Sequence, residues 1–398
     1  MTNDTPTAGE ALARYRYRLN MTQEELAERA GVSKSMVKAI EQGTRTGSMP
    51  TLNKLARALN ITTTDLLIPS RTVKVAPDAS PDELLAVRRA LTPPLFGASV
   101  ADTPGDPAAW RDTLAYAERL YRDDNYAAAL AAVPVLLDEA RSLDTPRPLA
   151  QAYLYAAQTL TQVRQLDLAN HALVEAARAA HDLSDELLAA WASSIQCWTL
   201  IRQARFSEVE HLAVSTAELI EPRLSEPASP KLATWGWLMI RAASAAIRDA
   251  RPDDAEEYMR AARAAASRLG TEAGKVAKWM PPPVRGFCET TVGYKDAENA
   301  VLLEEHGKAL EISSRLAPSK VPTSNNRDRH KLDLAASHLA QHQAGDAIET
   351  LLDLRQASPQ WLKHQRYAKD IVRQLVHDRK RAYAEQVGVL ADHVGVTV

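Results

Sequence analysis

Residues 19–67 read LNMTQEELAERAGVSKSMVKAIEQGTRTGSMPTLNKLARALNITTTDLL, and the spacing of apolar and capping residues within them decides the fold of the N-terminal part. Leu26, Ala27, Val32, Val37, Ile40, Leu52, Leu55, Ala56 and Leu59 recur at helical intervals, which predicts one small shared core. Thr22 and Ser33 are natural N-caps, and Glu25, three residues after Thr22, completes a capping box. Gly31 supplies the left-handed residue that ends a helix at least cost. The stretch therefore predicts a helix over 22–30, a tight turn and a second helix over 33–42. Such a pair presents the N-terminal residues of its second helix to the major groove of DNA. On the exposed face of that helix lie Lys34, Ser35 and Lys38, two ammonium groups and a hydroxyl suited to base edges or phosphates. A solvated charged face on a small helical bundle is the competing reading of the same residues. Arg14, Arg16 and Arg18 could add backbone contacts, but alternate residues of one helix cannot all face the same way.

Working outward, composition sets few limits. The chain has 398 residues, 45% of them hydrophobic, enough for two or more domains. It has no apolar run of membrane-spanning length and no basic-then-apolar secretory start, so a cytoplasmic location is expected. Cys197 and Cys288 have no metal-ligand spacing and are expected to be buried thiols. Net charge is -2, yet residues 1–70 hold nine Lys and Arg against seven Asp and Glu, a mild basic bias at the end that carries the motif.

Residues 69–107 contain seven of the 22 prolines and mark a linker, inside which SPDELLAVRRAL reads as one helix with Ser80 as N-cap and Pro81 at its first position. From 108 to the end helical patterns follow one another without a convincing strand. Small or apolar residues recur twelve apart across short polar turns: Ala117 with Ala129, Ala157 with Ala169, Cys197 with Val209, Ala243 with Ala255, and Ala335 with Ala347. Small side chains suit positions where two helix axes approach closely. Ala297 with Ala309 forms a sixth, degenerate pair. Stacked pairs predict a tetratricopeptide-like α-solenoid; an irregular Ala-rich helical domain is the alternative. Repeat phase directs Gln158, Gln162, Trp198, Arg202, Trp237, Arg241, Arg248 and Tyr294 toward the concave side, where they could hold a peptide or a polar small molecule. For each of them, packing between repeats or plain solvation is the competing role.

The ordered match of TQEELAERAGVS (22–33), IEQG (40–43), Arg45 and TLNKLARALN (51–60) resembles the lambda-repressor/Cro type of helix-turn-helix, the XRE family, over residues 8–68. The resemblance implies a five-helix domain in an all-α chain, with Gln23 on the phosphate backbone and Lys34, Ser35 and Lys38 facing bases. Ser33 begins that reading helix and is counted among its DNA-contacting residues; Arg45 would hold the loop or reach a phosphate. Gly47 stands where the family often has proline. A helix-turn-helix ahead of tetratricopeptide-like repeats (108–398) is similar in architecture to the peptide-sensing quorum regulators of the Rap/PlcR/PrgX group. It is closer to actinobacterial regulators that share the linker helix LLAVRRAL. These resemblances imply a homodimeric transcriptional regulator bound to a double-stranded DNA operator, with a peptide or small-molecule effector at the repeats. A protein-interaction scaffold located on DNA by its N-terminal domain is the alternative. No phosphate-cradling glycine loop, GxSxG, HExxH or paired Cys/His set occurs, so no catalytic residue, metal or cofactor is expected. His330, His338 and His342 are expected to be exposed or interfacial.

Overall fold

The computed structural model describes residues 7–397 except 19–20, 60, 62, 64–65, 67–80, 94–104, 144, 224, 226, 282–283, 364 and 379–380. Among the described residues every regular element is helical. The N-terminal domain begins with α1 (Ala8–Arg18), α2 (Gln23–Ala30), α3 (Lys34–Glu41) and α4 (Met49–Ala58). Residues 63 and 66 are also helical, and the rest of the expected fifth helix lies outside the described residues. Local chemistry sets the helix ends. Thr22 Oγ1 accepts from the Glu25 amide at 3.2 Å while Glu25 Oε2 accepts from the Thr22 amide at 2.7 Å, and Ser33 and Ser48 cap α3 and α4 through Met36 and Thr51. Gly31 ends α2 at φ +63°. Leu12, Leu26, Val37, Ile40, Leu52, Leu55, Leu59 and Leu66 form the buried core. α1 crosses the end of α3 so closely that a Cβ on Gly9 would lie 2.0 Å from the Ile40 carbonyl oxygen, which only glycine avoids.

Six antiparallel helix pairs follow: Pro107–Arg122 with Tyr126–Arg141, Pro146–Gln162 with Leu166–Asp182, Glu186–Arg202 with Phe206–Leu219, Pro230–Arg248 with Pro252–Leu269, Glu289–Leu302 with His306–Ser314, and Ser324–Ala340 with Ala344–Ala357. All twelve small or apolar residues named above are buried at the crossings, including Ala297 and Ala309 of the degenerate pair. One turn closes all six. Asp124, Arg164, Ala204, Ala250, Glu304 and His342, each seven residues beyond the small residue of its first helix, adopt φ between 57° and 65°. The next amide donates to the carbonyl five residues back, from Asn125, Gln165, Arg205, Arg251, Glu305 and Gln343, at 2.8–3.1 Å. None of the six is glycine, so each turn carries a modest backbone cost, of order 1 kcal/mol or more, that pair packing offsets.

Neighbouring pairs are joined by buried polar bonds as well as apolar packing. Tyr155 donates to the Ala117 carbonyl at 2.9 Å, Thr161 and Thr199 share a 2.9 Å hydroxyl bond, and Trp191 Nε1 donates to Thr234 at 2.9 Å. The helix Pro81–Leu91, expected inside the linker, lays Val87, Ala90 and Leu91 into the core of the repeats. The superhelix then returns on itself. Arg285 reaches Glu118 at 3.3 Å, and Ser324 donates to the Arg122 carbonyl at 3.5 Å, so the sixth pair and the segment before the fifth touch the first. Beyond the sixth pair, Arg366–Asp378 and Ala384–Val394 pack their apolar faces onto the end of the array. The N-terminal domain rests against the fourth pair, where Asn53 of α4, itself buried, donates to the Arg248 carbonyl at 2.7 Å.

Candidate nucleic-acid interface and groove

The helix-turn-helix is braced by one buried charge cluster. Arg16 of α1 makes a two-pronged bond to Glu41 at the end of α3, Nε to Oε1 at 2.7 Å and Nη2 to Oε2 at 2.9 Å, and its third nitrogen donates to the Met21 carbonyl at 2.8 Å. The pair is almost solvent-free, at 5% and 6% side-chain exposure, and hydrogen bonding to Glu41 raises the Arg16 pKa further. Arg16 is thus a structural tie, and the Arg18 side chain lies outside the described residues. Gln23 donates to the same Glu41 carboxylate at 2.7 Å, so one carboxylate ties α1, α2 and α3 together.

Lys34, Ser35 and Lys38 are exposed along the first turns of α3. Lys34 forms a 2.7 Å ion pair with Glu24 in which both side chains stay more than half exposed, a contact worth little in water and easily exchanged. Ser33 caps α3, and its hydroxyl lies 3.0 Å from that of Ser35. Arg45 is exposed on the loop after α3 and faces the repeats: together with Thr7–Gly9 and Gly43–Ser48 it lines one mouth of the concave groove.

That groove, about 2990 Å³, runs along the inner face of the solenoid. It exceeds the roughly 300–1,000 Å³ typical of a small-ligand site. Of the eight residues expected there, Gln162, Trp198, Arg202, Trp237, Arg241 and Arg248 line it. Gln158 instead faces a separate cavity of about 140 Å³ beside Glu118, Tyr155 and Arg285. Tyr294 stacks on His330 with ring centroids 4.2 Å apart. His330 is buried, and burial pushes its pKa down to about 4 with help from Lys295. Trp237 is buried in the groove wall against Phe287, whereas Trp198 in the same wall is half-buried.

The groove is strongly basic, with fifteen arginines and lysines against six carboxylates in its wall, in a chain whose net charge is -2. Two unlike clusters of charge stand out in its wall. On one side Glu298 accepts from Arg248 at 2.6 Å and Lys295 at 2.7 Å, with Arg329 at 3.7 Å. Burial opposes ionisation of Glu298, but the three cations outweigh it and hold the carboxyl well below its usual range. Arg329 also lies 3.5 Å from Asp333, whose pKa burial drives upward. On the other side Arg164, Arg202 and Arg241 have no carboxylate partner among the described residues. Arg122, in the first pair, also lines the groove and occupies the position that Gln162, Arg202 and Arg248 hold in theirs; that equivalence is the sequence signal by which it could have been found. Arg164, at the left-handed turn position, carries no such signal.

Comparison with known families matches residues 12–66 to the helix-turn-helix family. Comparison with curated proteins gives no match. Among solved structures the chain is similar to the crystal structure of Bacillus thuringiensis PlcR in complex with the peptide PapR7 and DNA, at 14% identity and a TM-score of 0.37, over 77% of this chain and 93% of that one. The N-terminal domain is a helix-turn-helix DNA-binding domain. Among the described residues no helix is long and apolar enough to cross a membrane.

Proposed function

We propose that a chain in which a helix-turn-helix abuts a basic helical groove is a sequence-specific transcriptional regulator, working as a homodimer whose operator affinity responds to a peptide or small molecule in that groove. The division of labour is residues 8–68 for DNA, 69–107 as connection and 108–398 for sensing and dimerisation. The observation that carries the reading is the exposure of Lys34, Ser35 and Lys38 at the start of a helix whose angle is fixed by Glu41, Arg16 and Gln23. Gln23 has one amide hydrogen engaged by Glu41 and retains a second for a phosphate. Arg45 lines the groove mouth on the loop that follows the reading helix, so an occupant touching this loop would bias the orientation of α3.

The test is fluorescence anisotropy with duplex DNA from beside the protein's own gene, at fixed salt, for the native chain and for Lys34→Ala and Lys38→Ala. Removing a side chain that reads a base costs about 1–3 kcal/mol, or roughly five- to 150-fold, and blurs preference at one position. Removing one that neutralises a phosphate weakens all sequences alike and reduces the salt slope by about one. Unchanged affinity and preference in both variants would remove α3 from the interface. Two chains per operator, by sedimentation of the complex, is the expected stoichiometry.

A further inference from the structure

We infer that the floor of the groove is a binding site for a small polyanion, a phosphoryl or multicarboxylate group, held by Arg202, Arg241 and Arg164. This deepens the proposed sensing role of the groove and takes from it only the premise that something binds there.

Arg202 ends the first helix of the third pair, Arg241 lies within the first helix of the fourth, and Arg164 occupies the turn of the second, so three consecutive pairs send one guanidinium each toward the same space. The Nε atoms of Arg202 and Arg241 are cut off from solvent and have no hydrogen-bond partner. Both guanidinia, unlike that of Arg164, lie over an indole four residues earlier in the same helix, Arg202 over Trp198 at 5.0 Å and Arg241 over Trp237 at 5.2 Å. The indole face offers some electron density but no counter-charge. Burial pulls the Arg202 pKa down to about 10, aided by the like charges of Arg164 and Arg329. Arg241 is lowered chiefly by burial, and Arg164, an exposed residue of its turn, by partial desolvation and then by Arg366.

Folding alone does not favour such an arrangement. Arg164 is exposed, but Arg202 and Arg241 are half-buried, and a cation with a solvent-shielded nitrogen and no partner costs stability; the neighbouring part of the groove shows the usual remedy in Glu298 and Asp333. Glu298 is near enough to Arg241 to raise its pKa slightly, but its oxygens are taken by Arg248 and Lys295. The helix end at Arg202 offsets part of one charge, whereas Arg241 sits a turn or more inside its helix without that help. Three guanidinia lining one groove, none paired with a carboxylate among the described residues and two of them seated on indoles, are matched to oxygens arranged for multiple charge-assisted bonds. One carboxylate would neutralise one of three charges, so the deficit favours a group with two or more negative charges.

The experiment is isothermal titration calorimetry of the full chain, without DNA, using sodium pyrophosphate, citrate and acetate at matched ionic strength. Pyrophosphate, citrate or both should bind more tightly than acetate, and Arg202→Met and Arg241→Met should each weaken that binding at least about tenfold. Pyrophosphate favoured over citrate assigns a phosphoryl group, and the reverse a multicarboxylate. The ligand-free melting temperature gives a second readout: removal of an uncompensated cation should raise it by about 2–4 °C in either variant. Equal binding of all three anions, or polyanion binding unchanged in both variants, overturns the inference. A fall in the ligand-free melting temperature of both variants overturns it too, since it would make the arginines structural. Because DNA is absent, such failure leaves the operator reading intact, and loss of operator binding leaves this site intact.

Discussion

Replacing Glu41 by alanine should unfold the DNA-binding domain while leaving the repeats folded. The carboxylate neutralises Arg16 at 2.7 and 2.9 Å and accepts from Gln23, all with side-chain exposure of the ion pair near 5%. Removing one partner of a buried pair strands the other charge, at about 3–5 kcal/mol. A core of this size supplies about that much in total. Hydrogen exchange on the intact chain reads it directly: at 1.4 kcal/mol per tenfold, amides of α1–α3 should lose about 10² to several 10³ in protection. Amides of the first three repeat pairs should be unchanged, the fourth being the pair on which the domain rests. The double variant Arg16→Met with Glu41→Leu should recover most of the loss, because no charge is then stranded. A single-variant loss under about 1 kcal/mol, or a double variant as damaged as the single, would refute the account of Glu41 as the tie of the domain.

Two further outcomes concern the repeats. Gly236→Ala would place a Cβ 2.0 Å from Phe287 Cζ and should destabilise the fourth pair by about 1–3 kcal/mol, recovered in part by Phe287→Leu, as thermal unfolding would register. Asp124, buried in the first turn, has its pKa raised by burial to about 6 while accepting from Tyr126 at 2.7 Å. A raised carboxylate pKa means that the fold holds its proton longer than the unfolded chain, so stability falls as pH rises from about 4 through 6. Asp124→Asn should flatten that slope, leaving stability near pH 4 unchanged and raising it at pH 7 by an amount of order 2–3 kcal/mol. Denaturant midpoints across pH check it; parallel profiles for both proteins would contradict the assignment.

What is legible in the sequence is what local chemistry determines. Thr22 with Glu25, Ser33 and Gly31 act within four residues of themselves, so their caps can be read directly, as can the small residues twelve apart at each helix crossing. Tertiary contact is not legible. Arg16 and Glu41 lie 25 residues apart, and nothing in an alternating run of arginines marks the one that turns inward. Gln23, which the family resemblance puts on the phosphate backbone, donates also to Glu41, eighteen residues away. Repeat phase brings Gln162, Trp198 and Arg202 to the groove, but Gln158 turns toward the second cavity because the array closes around it beside Glu118 and Arg285. The left-handed turns leave no mark in the sequence because their residues are Asp, Arg, Ala, Glu and His rather than glycine.

The return of the sixth pair onto the first changes how such an array can come apart. An open stack of repeats touches only nearest neighbours, so its ends fray and its stability is close to a sum over units. Here Glu118 with Arg285 and Ser324 with Arg122 join residues 167 and 202 positions apart. Peeling the first pair from the stack would have to break contacts with the sixth pair and with the segment before the fifth. A linear spring thereby becomes a clasped bracelet: its clasp closes late and slowly, as long-range contacts do, and once shut makes loss of any one link felt around the whole circumference.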